Sequence, residues 1–465
     1  MKEILSIPND ASVGKDIRNN IVWLNSAFKE AGFETVLLDS PAEPFVLATS
    51  GNNPELPTVL FYMHFDGQPV YNADWQQTGP YAPVLKKKIN NNWEQMEWES
   101  VRKRYDPEWR VFARSASDDK GPIAMFLAAM AILKSENRQP AYNIKVILDS
   151  EEEKGSPNLP DLVSRYQYLL KADRLVILDG PRHTSNAPTL IFGCRGVAQV
   201  DLTVFGPRGD LHSGHFGNYA PNPAYELALL LAAMKDENGK VIVPGFYQGV
   251  QLDNTTLELM KAVPDRKDII NQQIGIARET DTAMSYQEGL QYPSLNILNM
   301  TSGQPEAGTR NIVPSRAAAS LDIRLVPGSD PIHLENALKK FITSKGYYFI
   351  DGASPTETER REHPRMIHFQ FTLQPLAFVT EPDSPSGQWL SAVIESVHQK
   401  KPVMIRMAGG TVPIAPFIQA LKIPAVIIPT VNPDNNQHAA NENVRLGNYF
   451  EGISLVRSLL LSRPF

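Results

Sequence analysis

The sequence predicts an α/β protein in which a mostly parallel sheet is interrupted by a second unit of β-α-β-β-α-β order. Three observations lead there. Short apolar runs rich in β-branched residues alternate with helical segments, as in Tyr142-Asn143-Ile144-Lys145-Val146-Ile147-Leu148 followed by a helix over 159–171. Several of these runs end in a carboxylate or a histidine, at the strand ends where open parallel sheets place ligand sites. Beyond Gly193-Cys194-Arg195-Gly196, which reads as a hinge, residues 197–205 alternate apolar with polar, which marks a strand with one exposed face. A length of 465 residues favours two domains over a single core.

Taken in order, residues 18–32 form a helix through Ile21, Leu24 and Phe28 that Gly32 can stop. Strands follow at 35–38 and 45–48. Residues 57–63 make a buried strand running into His64-Phe65-Asp66-Gly67, where His64 and Asp66, two apart, share one side of an extended chain. Residues 71–110, rich in tryptophan and polar residues, read as an irregular segment with one hairpin. Ser117, Asp118 and Asp119 precede an apolar helix over 123–133; each can cap it, yet one cap needs only one of them. Glu151, Glu152 and Glu153 leave the strand at 142–148 together. Three adjacent carboxylates repel one another unless a cation relieves them, although a solvated acidic loop is the bland alternative. The strand at 173–178 ends in Asp179-Gly180.

The second unit reads as strand 197–205, helix 223–234, strands 293–300 and 317–326, helix 331–345 and an extended run over 366–378. That order is ferredoxin-like, broken by a polar, mostly helical insert over 238–290. The chain returns with helix 388–399, Gly409-Gly410-Thr411, a strand at 424–430, His438 in the loop 432–443, and helix 448–461. The expected domains are 1–192 with 382–465, and 193–381 inserted between them.

A net charge of −6 and a pI near 5.9 leave no electrostatic footprint for nucleic acid. No run approaches the ~20 apolar residues of a membrane span. The single cysteine, Cys194, excludes an internal disulfide and suits a reducing compartment. The polar start Met1-Lys2-Glu3-Ile4-Leu5-Ser6 does not read as a signal peptide. A cytoplasmic protein is therefore expected.

His64, Asp118, Glu153, Asp179 and His438 are candidate metal ligands, with Asp66 and Glu152 beside them. Two imidazoles and three carboxylates suit Zn²⁺, Mn²⁺ or Co²⁺ and lack the thiolates of a structural zinc site. Five ligands overfill one tetrahedral ion but fit two ions that share a carboxylate and together activate a water. Asp66 can orient the His64 imidazole, and Glu152 can take the water's proton.

Seven motifs occur in one order along the chain: His64-Phe65-Asp66-Gly67, Ser117-Asp118-Asp119-Lys120-Gly121, Glu152-Glu153-Lys154-Gly155-Ser156, Asp179-Gly180, Asp210-Leu211-His212-Ser213-Gly214, Ile323-Arg324-Leu325-Val326-Pro327 and Gly409-Gly410-Thr411. This series resembles the zinc peptidases of the M20 group, and within it the carnosinase-like and PepV-like dipeptidases. The resemblance implies a zinc-peptidase catalytic domain with an inserted lid used for dimerisation and substrate binding. It implies two Zn²⁺ per chain, with Asp118 bridging, His64 and Asp179 on one ion, and Glu153 and His438 on the other. Glu152 would be the general base and Asp66 the support of His64. His212 would reach the neighbouring subunit's site, Arg324 would bind the substrate carboxylate, and Gly409, Gly410 and Thr411 would line the substrate. The expected activity is hydrolysis of dipeptides bearing a free C-terminal carboxylate, by a homodimer that needs neither nucleic acid nor membrane. An N-acyl-amino-acid deacylase on the same metals is the alternative. A metal-storing protein is disfavoured, because it has no use for Glu152.

Overall fold

The computed structural model describes residues 1–280, 284–303 and 310–464; residues 281–283 of the expected helical insert lie outside the described residues. The chain first forms β1 (Glu34–Leu38), β2 (Phe45–Ser50), β3 (Thr58–His64), β4 (Asn143–Asp149), β5 (Arg174–Ile177) and β6 (Thr189–Ile191). It then forms β7 (Gly196–Phe205), β8 (Ser294–Ser302), β9 (Arg316–Leu325), β10 (Tyr348–Phe349) and β11 (Met366–Leu373), and returns with β12 (Val403–Ile405) and β13 (Ala425–Ile427).

One sheet has the order β1-β2-β4-β3-β5-β13-β6-β12. Its central run from β4 through β3 and β5 to β13 is parallel, with antiparallel pairs at β1–β2, β2–β4 and β13–β6. Strand β3 explains why the sequence is continuously apolar here. Val59, Phe61 and Met63 face a core shared with Phe28, Phe126 and Val456, while Leu60 and Tyr62 face a second core with Leu162 and Phe417. Each fully buried side chain of this kind contributes roughly 1.5–3 kcal/mol. With both faces covered by helices, the open ends of the strands are where the chain can present polar groups.

The other sheet has the order β8-β9-β7-β11-β10, with β7 antiparallel to both β9 and β11. On β7 the alternation is realised directly. Ala198, Val200, Leu202 and Val204 pack with Leu227 and Leu230 of helix Pro223–Ala232 and with Leu334 and Phe341 of helix Pro331–Ser344. The insert contains the helices Asn254–Lys261, Lys267–Ile274 and Tyr286–Leu290, in line with the helical character expected of it.

The two crossings between the sheets lie side by side: Gly193–Cys194 pairs antiparallel with Phe378–Val379. A Cβ on Gly193 would stand 2.3 Å from the Phe378 carbonyl oxygen, and one on Gly196 2.5 Å from the Ala377 nitrogen. Glycine is what permits this approach.

Three local expectations change. The helix expected from residue 123 begins at Lys120, and Asp119 at its N-cap makes no side-chain capping bond. The extended run over 366–378 is two strands, β11 and Phe378–Val379. Strands β6 and β12 carry no sequence signal, because three residues are too few to show a period. Among the described residues, no helix is long and apolar enough to cross a membrane.

Candidate active site

The expected donors converge at the ends of the central strands. His64 is the last residue of β3, Asp179 lies two past β5, Glu153 stands in the 3-10 turn Glu152–Lys154 after β4, and His438 lies in the loop after β13. Asp118 comes from the turn that enters helix Lys120–Ser135. The donor atoms of His64, Asp118 and Asp179 lie within 4.8 Å of one another, and so do those of Asp118, Glu153 and His438. Asp118 belongs to both groups. Its Oδ1 is 2.8 Å from His64 Nε2 and its Oδ2 is 2.9 Å from His438 Nε2. Glu153 Oε2 is 3.2 Å from His438 Nε2 and accepts from Gln68 Nε2 at 2.8 Å.

Asp66, fully buried, has Oδ1 3.3 Å from His64 Nδ1 and also accepts the backbone N–H groups of Glu152 (3.1 Å) and Glu153 (3.0 Å). One carboxylate thus fixes both the His64 ring and the glutamate turn. The turn has a second anchor in buried Asp149, which accepts Tyr62 Oη–H at 2.9 Å, Ser156 Oγ–H at 2.6 Å and Glu151 N–H at 2.8 Å.

The electrostatics fit a cation pair. Burial alone would raise Asp118, but hydrogen bonds with His438 and His64 outweigh it and hold the carboxyl low. Burial pushes Glu153 up to about 7 and Asp179 up to about 6, each reinforced by the charge of Asp118. Burial also lifts Glu152 well above the ordinary carboxylate range. A donor set of two imidazoles and three carboxylates under mutual repulsion is a good host for two divalent ions.

A pH prediction follows for the ion-free chain. Burial pushes Asp149 up to about 7, like Glu153, and Asp179 up to about 6. Each folded pKa lies above the unfolded value of about 4, so protonation favours the fold. That contribution is complete below about pH 4 and is lost as pH rises toward about 7. Asp118 works in the opposite sense, but only at far more acid pH. Calorimetry of chelator-stripped protein should therefore show Tm falling from pH 5.5 to pH 8, with a smaller fall once a divalent cation is added. A flat ion-free profile would mean that these carboxylates stay ionised without a cation.

The donors open on a cleft of about 1080 Å³ lined by residues of both sheets and their loops, among them Glu152, Glu153, His438, Val197, Leu373 and Thr411. Arg324, on β9, donates from Nε to Asp322 at 3.1 Å and from Nη1 to Thr411 Oγ1 at 3.2 Å. Thr411 donates in turn to the Arg195 carbonyl at 2.7 Å. A Cβ on Gly410 would meet nothing within 4 Å, so the backbone is approachable there, whereas one on Gly409 would stand 3.2 Å from Leu290 Cδ2. His212 is elsewhere. It is exposed, lies outside the cleft lining, and its Nδ1 accepts Gly214 N–H at 3.1 Å.

Sequence reasoning missed Glu442. It is fully buried, and its carboxylate accepts from the turn that carries Asp118. In the sequence it reads as one acid in a polar loop, and only its spacing of four from His438 hints at a role.

Nitrogen and oxygen donors gathered at strand ends, opening on a cleft, define a divalent-metal hydrolase in chemical terms. The sequence profile of Peptidase family M20/M25/M40 matches residues 60–462, and the chain belongs to that family. It is a peptidase. The Cys-Gly metallodipeptidase dug1 of Schizosaccharomyces pombe is 27% identical over 423 residues, covering 90% of this chain and 82% of that protein. The Beta-Ala-His dipeptidase of Homo sapiens is 28% identical over 427 residues, covering 90% and 78%. Among solved structures, the M20 family metallo-carboxypeptidase Sso-CP2 from Sulfolobus solfataricus superposes with a TM-score of 0.79 at 26% identity, over 100% of this chain and 98% of that one. Human carnosine dipeptidase 1 gives 0.74 at 25% identity, over 99% and 94%.

Proposed function

We propose that this chain is a two-metal dipeptidase that cleaves the amide bond next to a free C-terminal carboxylate. The observation that carries the reading is Asp118, whose two oxygens each face a different imidazole at 2.8 and 2.9 Å. His64, Asp118 and Asp179 would hold one ion, and Asp118, Glu153 and His438 the other, with zinc the metal that best suits this donor set. When bound, two such ions acidify a water and polarise the scissile carbonyl. Asp66 keeps the His64 ring in place, and Glu152 takes the proton of the attacking water and passes it to the leaving amine. The names of the yeast and human relatives, both dipeptidases, support the substrate class.

In this reading residues 1–192 and 382–465 form the catalytic domain, and 193–381 an inserted ferredoxin-like lid through which two chains pair. The separate apolar core of the second sheet supports that division. A cytoplasmic place is part of the same reading, supported by the lone thiol of Cys194. Arg324 would release part of its hold on Asp322 and fork onto the substrate carboxylate, a geometry that lysine cannot reproduce. Longer peptides are a second reading, favoured by the likeness to a carboxypeptidase and by a cleft of about 1080 Å³.

One panel tests the whole. It comprises a dipeptide, its C-terminal amide, a tripeptide and an N-acyl amino acid, with and without chelator. The dipeptide should be preferred, the amide refused, and all turnover lost on chelation. Arg324→Ala should lose most of the discrimination between acid and amide. Equal use of both by the wild type, or a preference for the acyl amino acid, would overturn the reading.

A further inference from the structure

We propose that Glu442 is a positioning residue that sets the second ion's site by clamping the turn of Asp118 to the loop of His438. The proposal rests on the two-ion reading above and concerns how one half of that site is built.

Glu442 Oε1 accepts from Ser117 N at 2.9 Å, Ser117 Oγ at 2.7 Å and Asp118 N at 3.0 Å. Its Oε2 accepts from Ser115 N and Arg114 Nη1, both at 2.8 Å. Its backbone carbonyl accepts Ala113 N–H at 3.1 Å. Residues 113–118 are therefore wrapped around one buried glutamate from the far end of the chain. Charge-assisted bonds of this kind are about twice as strong as neutral ones, and the carboxylate that accepts them is fully buried.

The turn cannot keep its own shape. Ser115 sits at φ +60°, a left-handed conformation that is strained for a non-glycine residue and persists where neighbours impose it. Glu442 is one such neighbour, and Asn9 Nδ2, bonded to Ser115 Oγ at 2.9 Å, is another. His438, four residues before Glu442, is also left-handed at φ +62°.

The contacts close a ring. The Asp118 N–H binds Glu442, the Asp118 carboxylate meets His438 at 2.9 Å, and His438 and Glu442 share one short loop. The spacing between Asp118 Oδ2 and His438 Nε2 is thus set by Glu442. In the other group only the shared Asp118 depends on that clamp: His64 ends β3 and Asp179 lies two residues past β5, and those strands pair directly in the sheet. Glu442 should therefore matter more to the Glu153–His438 half than to the His64–Asp179 half.

Zn²⁺ competition against a chromophoric chelator tests this on the ion-free full-length chain. Glu442→Gln should weaken the second ion by about 10–100-fold, the usual cost of losing a group that orients ligands, and leave the first within a few-fold. Ser117→Ala, which removes only one donor, should shift the second ion the same way by less, and it carries the test if Glu442→Gln does not fold. Activity of either variant should climb toward wild type as free Zn²⁺ is raised, which a general loss of structure would not give. Two-ion wild type with variants that weaken both ions equally, or neither, overturns the proposal alone. A wild type that takes only one ion overturns it together with the two-ion reading.

Discussion

Glu152→Gln is expected to lower kcat by about 10² or more while metal content stays near that of the wild type, because the residue is proposed as the general base and such a group contributes on that scale. The geometry separates Glu152 from its neighbour. Glu153 shares a donor group with Asp118 and His438, whereas Glu152 belongs to neither group and faces the cleft. Its backbone N–H is bound to Asp66 Oδ1 at 3.1 Å, so the turn is fixed from the main chain and the side chain remains available. Gln keeps the size and most hydrogen bonding of Glu but cannot accept a proton. Burial lifts this carboxyl in the ion-free chain, and two nearby cations would draw it back toward the ionised form that a base needs. Elemental analysis and steady-state kinetics on Glu152→Gln and Glu153→Gln decide the matter together. If Glu152→Gln lost an ion and Glu153→Gln kept both, the two roles would be exchanged.

How much of this site the sequence revealed depends on which forces placed each residue. His64, Glu153 and Asp179 were legible because a strand buried on both faces can present polar groups only at its ends, and apolar runs show where those ends fall. Arg324 pairs with Asp322, two residues before it on the same face of one strand. Ser117 and Asp119 were harder. Both are ordinary helix-capping types, but Ser117 Oγ is bound to Glu442, while Asp119 Oδ2 accepts the His64 N–H at 3.2 Å. Lys120 would pass for a surface lysine, yet it is buried and donates to the Ile4 and Ile7 carbonyls at 3.1 and 2.6 Å. Glu442 and Lys120 act through partners more than a hundred residues away. Local pattern carries no trace of such bonds, since it reports periodicity and turn chemistry, and a buried acid reads like a solvated one until the fold supplies its donors.

Crossed complementation should restore activity between two inactive variants, because His212 is proposed to act in the partner's site. Within its own chain His212 does not line the cleft. It ends the short strand Leu211–His212, which pairs with Ile312–Val313 in a two-stranded sheet of its own. Its Nδ1 accepts Gly214 N–H at 3.1 Å, which orients the ring and sets Nε2 as the N–H that can donate. A donor aimed at the oxyanion of the cleaved bond contributes about 10²–10³ in kcat, so His212→Ala alone should fall by that factor. Glu152→Gln retains His212, and His212→Ala retains the base. In a mixed two-fold dimer one of the two sites has both residues. Random pairing makes half the dimers mixed, so activity should return to roughly a quarter of wild type. Separately purified variants, unfolded together and refolded with Zn²⁺, provide the measurement, with native mass spectrometry to count mixed dimers. Mixed dimers that stay inactive would place His212 in its own chain's chemistry or in none. A chain that stays monomeric while fully active would remove the partner from the mechanism altogether.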